Sequence, residues 1–107
     1  MRTKIILTSN DKTLIGKYSQ NADNIYCLID TTFEDITIDL PDCRNGNNFE
    51  FIFKNIGNNS ARIQPATGQY IDTSLYYDIS AWDELTLWSD LQMRWIIVNR
   101  NSVMILR

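Results

Sequence analysis

Apolar and polar residues alternate along much of the chain, which is typical of β-strands that bury one face. In FEFIFK, residues 49–54, phenylalanine occupies every second position, and in DITIDL, residues 35–40, isoleucine and leucine do the same. Both segments are predicted to be half-buried strands of antiparallel sheet. The predicted interior contains Phe49, Phe51, Phe53, Ile36, Ile38, Ile63 and Leu87.

Turn-forming residues separate these strands. Pro41 and the pair Asn45-Gly46 lie between DITIDL and FEFIFK, and NIGNNS follows FEFIFK. Proline ends a strand because it lacks an N–H group, and Asn-Gly favours a tight turn. The segment SAWDEL, residues 80–85, predicts a turn or a short 3₁₀ helix.

The same analysis predicts a hairpin between strands 84–89 and 92–99, with SDLQ as its turn. Further strands are predicted at 2–8, 12–18, 24–29, 69–72 and 102–106. Turn signals recur about every 8 to 12 residues, which is typical of sandwiches and barrels. The predicted fold is a compact all-β domain, either an antiparallel β-sandwich or a barrel-like structure.

The length of 107 residues and the hydrophobic fraction of 44% predict one domain with one core. Residues 1–27 lack the strict alternation of the rest of the chain. They are expected to form added strands or an arm that docks onto another molecule. Residues 28–107 are expected to form the β domain itself.

Charge and hydropathy argue against two classes of partner. The net charge of −3 comes from acidic and basic residues spread along the chain, so there is no basic stripe to bind nucleic acid. No apolar run has the roughly 18 residues needed to cross a membrane. The N-terminal apolar run is too short for a secretory signal, so the chain is expected to be made in a cytoplasm. Cys27 and Cys43 are therefore predicted to be free thiols.

The sequence offers little that points to catalysis. It contains no histidine, which excludes the commonest general base, the Ser-His and Cys-His pairs, and most zinc sites. Its carboxylates are explained by strand faces and turn caps, and its four glycines do not form a phosphate-binding loop. We therefore predict no enzyme activity, no catalytic residue, no cofactor and no metal site.

Aromatic residues are concentrated in the last third of the chain. Trp88 and Trp95 lie on adjacent strands of the predicted hairpin, where core or cross-strand packing explains them. Tyr76, Tyr77 and Trp82 lie where the pattern is least strand-like. Exposed aromatic rings stack on sugars or anchor protein interfaces, so these three are the predicted binding or interface residues.

The order of motifs resembles the small β domain of bacteriophage tail-fibre, head-fibre and capsid decoration proteins. The resemblance covers about residues 33–99. Its matching positions are Leu40-Pro41, Lys54-Asn55-Ile56-Gly57, Pro65, Gly68, Ile71-Asp72, Ser89-Asp90 and Trp95. The chain departs from the family pattern at Leu91, because a glycine usually follows the Ser-Asp pair.

This resemblance implies a structural component of a virion rather than an enzyme: a capsid decoration protein, a head fibre or a short tail or neck appendage. It implies a homotrimer whose partners are its own copies, other capsid or tail proteins and, in an attachment role, a host surface glycan. The alternative is a carbohydrate-binding module that uses exposed Trp and Tyr rings. An unrelated small β interaction domain is a further possibility.

Overall fold

The computed structural model of the chain describes residues 2–7, 24–44 and 50–101. These residues form an all-β structure without a helix, as predicted, and therefore include no helix that could span a membrane. The strands are β1 (Arg2–Leu7), β2 (Asn24–Ile29), β3 (Ile36–Asp39), β4 (Glu50–Asn55), β5 (Ala61–Gln64), β6 (Tyr70–Ile71), β7 (Tyr77–Ile79), β8 (Glu84–Ser89) and β9 (Arg94–Asn101). The predicted strands at 12–18 and 102–106 lie outside the described residues.

The strands form two sheets. The larger has the order β1-β2-β4-β8-β9-β6, and the smaller has the order β3-β5-β7. Strands β4, β8 and β9 are antiparallel neighbours, as are β5 and β7. The pairs β1–β2, β2–β4, β3–β5 and β6–β9 are parallel. The expectation of antiparallel sheets is therefore wrong for these four pairs.

Two of the parallel pairs, β2–β4 and β3–β5, follow from how the chain moves between the sheets. From β2 to β5, each strand lies in the other sheet from the strand before it. Strands that neighbour each other within one sheet are thus joined through a strand of the other sheet, and they run in the same direction. DITIDL and FEFIFK, which become β3 and β4, consequently do not form a hairpin with each other.

Both sheets contribute their apolar faces to one core. Along β3, β4 and β5 every second residue is buried, and the buried residues of both sheets form a single cluster. Of the predicted interior residues, Phe51, Phe53, Ile36, Ile38, Ile63 and Leu87 are confirmed as buried, while Phe49 lies outside the described residues. A radius of gyration of 12.8 Å agrees with the roughly 13 Å of a compact domain of this size.

Strand β2 crosses the position where the sequence suggested a boundary between residues 27 and 28. It is hydrogen-bonded between β1 and β4, and it buries Ile25, Cys27 and Ile29 in the core. Residues 24–27 are thus part of the larger sheet. A docking role for residues 1–27 stays a prediction.

The hairpin between β8 and β9 is confirmed. One carboxylate oxygen of Asp90 accepts the backbone N–H groups of Gln92, Met93 and Arg94 at 2.8–3.0 Å. Burial raises the pKa of Asp90, but these hydrogen bonds outweigh it, so the pKa lies below its usual value. The next residue, Leu91, has a φ of 63°, in the left-handed region that glycine adopts most easily.

Leu91→Gly is expected to stabilise the protein by about 0.5–1 kcal/mol. A left-handed conformation costs a residue with a Cβ atom about 1–2 kcal/mol, and this gain exceeds the entropy that glycine adds to the unfolded chain. Thermal unfolding checks it. The control is Leu75→Gly, which replaces another exposed leucine outside the left-handed region and should destabilise. A lower melting temperature for Leu91→Gly would contradict the strain argument.

Both cysteines are free thiols, as predicted, and both are buried. Burial raises the pKa of the Cys27 thiol to about 12, so almost no reactive thiolate exists at neutral pH.

We expect iodoacetamide to leave Cys27 and Cys43 unmodified in the native protein and to modify both in denaturant. Replacing both by serine should leave any assembly intact with some loss of stability. A quantitative bridge between them in intact-mass spectra would contradict this prediction.

Candidate functional site

Three connecting segments meet at one end of the larger sheet. Residues 30–35 follow β2, residues 56–60 follow β4, and residues 80–83 precede β8. Since β2 and β4 are parallel and β8 is antiparallel to them, all three segments lie at the same end of their strands. We call this region the three-loop end.

The side chain of Asn55, the last residue of β4, holds the three-loop end together. Its Oδ1 atom accepts hydrogen bonds from the Thr31 hydroxyl at 2.7 Å and from the Gly57 N–H at 3.1 Å. Its Nδ2 atom donates to the carbonyl oxygens of Asn59 at 2.7 Å and Ile79 at 2.9 Å. Asn55 is fully buried. One amide therefore bonds to two of the loops and to the residue that precedes the third.

Further contacts tighten the same loops. The Asn59 side-chain amide donates to the Thr31 carbonyl at 2.7 Å, and the carboxylate of Asp35 accepts the Ser60 N–H at 2.9 Å. A Cβ atom on Gly57 would lie 2.5 Å from the Thr31 hydroxyl and 2.6 Å from its backbone carbon. Only glycine allows the two loops to approach this closely.

Trp82 occupies the tip of the loop before β8. The Asp83 N–H donates to the Ser80 carbonyl at 3.0 Å, which closes a turn with Trp82 at a φ of 64°. The Lys54 ammonium group donates to the Trp82 carbonyl at 2.7 Å, and the indole N–H reaches Asn58 Oδ1 at 3.4 Å. Even so, 45% of the Trp82 surface is exposed.

The outer face of the smaller sheet adjoins this end. Arg62 on β5 and Asp78 on β7 are cross-strand partners, and two guanidinium nitrogens donate to the two carboxylate oxygens at 2.8 and 3.0 Å. These bonds raise the pKa of Arg62. The guanidinium carbon lies 3.9 Å from the ring centroid of Tyr76, a cation–π contact. Tyr76 is also 45% exposed.

Two open cavities lie beside Arg62 and Asn58, the residues that contact Tyr76 and Trp82. One, of about 290 Å³, is lined by Asp35, Ile36, Thr37, Ser60, Arg62 and Asp78. The other, of about 260 Å³, is lined by Asn58, Asn59, Ser60, Ser80 and Ala81. Ser60 belongs to both. We call the surface from Tyr76 through Arg62, Ser60 and Asn58 to Trp82 the polar strip.

The predicted residues divide between this strip and the core. Tyr76 and Trp82 lie at its two ends. Tyr77 instead begins β7 opposite Ile63 and packs against the core. The prediction that all three form a binding surface or interface stays a prediction.

Sequence reasoning missed several residues of the region. Phe33, in the loop after β2, is 93% exposed, and its sequence signal was an apolar residue inside the polar run TTFED. The sequence also indicated a buried polar residue at Asn55, because Asn55 continues the alternation of Phe51 and Phe53. The Arg62–Asp78 pair carried none, because it depends on which strands become neighbours.

The chemistry available here is hydrogen bonding and ring stacking. Within the described ranges, no group of three or more acidic or cysteine side chains is placed to hold a metal ion.

No protein-family model, curated protein or solved structure matches the chain. The resemblance to phage fibre and decoration domains therefore rests on the sequence motifs alone.

Proposed function

We propose that the chain is a structural module of a bacteriophage particle: a capsid decoration protein, a head fibre or a short tail or neck appendage. In this proposal it assembles as a homotrimer, binds other capsid or tail proteins, and folds as a β-sandwich of its two sheets. The observation that carries the proposal is that the motif residues of the resemblance make the contacts on which this fold depends.

Three motif positions illustrate this. Asn55 and Gly57 allow the loops of the three-loop end to close on each other. Asp72 donates its N–H to the Trp95 carbonyl at 2.8 Å, and its carboxylate accepts the Ile97 N–H at 3.0 Å. A motif built from such residues specifies a scaffold and leaves the surfaces free to vary. That division suits a module reused in many fibres, where recognition lies in loops and outer faces.

Two further motif positions serve the hairpin and the core. The Ser89 hydroxyl donates to the Cys43 carbonyl at 2.6 Å, while Asp90 caps the turn. Trp95 is fully buried with its ring 5.3 Å from that of Phe51. These contacts support a rigid scaffold whose task is assembly and attachment.

The outer face of the larger sheet is the surface we propose for trimer formation. Trp88 on β8 is 52% exposed, and its cross-strand partner Ile96 is half-buried on the same face. Ile52 on β4 also points outward. A small domain buries a limited share of its own apolar surface, and aromatic and aliphatic residues on a sheet face are typical of subunit interfaces. The proposed occupants of this face are two further copies of the chain.

We expect the purified protein to have three times the chain mass of 12.5 kDa in light scattering coupled to size exclusion. Trp88→Asp should shift it toward monomer, because a second carboxylate would enter the interface beside Glu50, which accepts the Trp88 indole N–H at 2.6 Å. The control is Phe33→Asp, which adds the same charge in place of an exposed ring at the three-loop end and should leave the trimer intact. A wild-type monomer at micromolar concentration would contradict the trimer.

A further inference from the structure

The polar strip contains an aromatic residue that the fold does not favour. Trp82 adopts a left-handed backbone conformation that glycine or asparagine would adopt more easily in a turn of this kind. Its indole N–H makes only a long hydrogen bond, and much of its surface is exposed. A bulky residue kept in such a conformation points to function, since strained residues cluster at binding sites.

Tyr76, at the other end of the strip, is held by a cation–π contact. The Arg62 guanidinium lies against its ring, and Asp78 fixes that guanidinium through two hydrogen bonds. A ring fixed in advance loses little freedom when a ligand stacks on it. Tyr76 precedes β7 and Trp82 follows it, so the two rings flank opposite ends of a strand that extends by about 3.3 Å per residue.

The groups between the rings match the chemistry of sugars. A pyranose has an apolar C–H face, which stacks on aromatic rings, and a rim of hydroxyl groups that both donate and accept hydrogen bonds. The two cavities offer acceptors on Asp35 and Asp78, donors on Arg62, and the amide of Asn58 and the hydroxyl of Ser60, which do both. Polar side chains that lie between two aromatic rings thus form a surface suited to an oligosaccharide.

The charge of the strip favours a neutral ligand. Asp78 already neutralises Arg62, and Asp35 adds a second carboxylate to the same cavity. A phosphate, a sialic acid or a nucleic acid strand would meet a net negative charge in that cavity, while the Lys54 ammonium group at the Trp82 end is bonded to the Trp82 carbonyl. Sugars without charge meet no such penalty.

We propose that the polar strip binds a neutral oligosaccharide, with Trp82 and Tyr76 stacking on separate sugar residues and the polar groups between them bonding to hydroxyls. This inference rests on the strip alone and holds whether or not the protein is a phage component.

The test begins with wild-type protein on a printed array of neutral and sialylated oligosaccharides, followed by calorimetry with the neutral trisaccharide that gives the strongest signal. Trp82→Gly removes the ring and relieves the strained conformation, so the variant should be at least as stable as wild type. It should bind about tenfold more weakly or worse, as should Tyr76→Ala. Leu91→Gly is the matched control, because it removes an exposed apolar side chain at a similar φ in the β8–β9 turn. Its affinity should remain within twofold of wild type.

Three outcomes would overturn the proposal: no neutral oligosaccharide bound, binding confined to sialylated glycans, or unchanged affinity in Trp82→Gly. Loss of stability or of oligomer in Trp82→Gly would assign the ring to structure and overturn it as well. A monomeric wild type that binds a neutral oligosaccharide through Trp82 would instead contradict the trimer and support the strip.

Discussion

Phe51→Ala should destabilise the protein by about 3–5 kcal/mol. The Phe51 side chain is fully buried on β4, with its ring 5.5 Å from Phe53 and 5.3 Å from Trp95. Truncation removes the burial of the ring and leaves a cavity that both neighbours border. In a domain whose total stability is of the order of 5–15 kcal/mol, this is a large share. Urea unfolding followed by Trp fluorescence measures the change.

Phe33→Ala supplies the control for this prediction, because it is the same substitution at a residue that is 93% exposed. We expect it to change stability by less than about 0.5 kcal/mol. If the two variants lost similar amounts of stability, the position of the core between the two sheets would be wrong.

Asn55→Ala should cost about 3 kcal/mol or more. The change removes four hydrogen bonds and leaves the carbonyl oxygen of Ile79 without its amide donor in the interior. Each buried group left unsatisfied costs about 1–3 kcal/mol. We also expect faster hydrogen exchange at the amides of Gly57 and Asn59, because both are bonded within this network.

Asn58→Ala is the matched control, since it removes the same amide from an exposed position three residues along the chain. It should change stability by less than about 0.5 kcal/mol. Equal effects of the two substitutions, or an exchange pattern in Asn55→Ala indistinguishable from wild type, would contradict the role of Asn55 in joining the loops.

The sequence was a good guide to strands and to faces, because alternation specifies which side of a strand is buried. Phe51, Ile38 and Ile63 could be placed in the core for this reason. Alternation does not specify the neighbour of a strand. The segment between two strands can return the chain to the same sheet or lead it to the other, and in this protein β3 and β4 lie in different sheets. The parallel pairs were therefore missed.

The candidate site was predictable only in part for the same reason. Tyr76 and Trp82 could be singled out because they have no place in the alternating pattern. Arg62 and Asp78 could not, because they meet only when β5 pairs with β7. The strain at Trp82 also depends on the backbone of a turn whose sequence, SAWD, contains no glycine to indicate it.

The most direct test of the proposed role is a cryo-EM map of particles from a culture whose phage genome encodes the chain. We predict three copies around a threefold axis on the particle, with the outer faces of the larger sheets in contact. The polar strips should face outward from the particle. Complete particles that lack the chain, or a map that shows it as isolated single copies, would contradict the account.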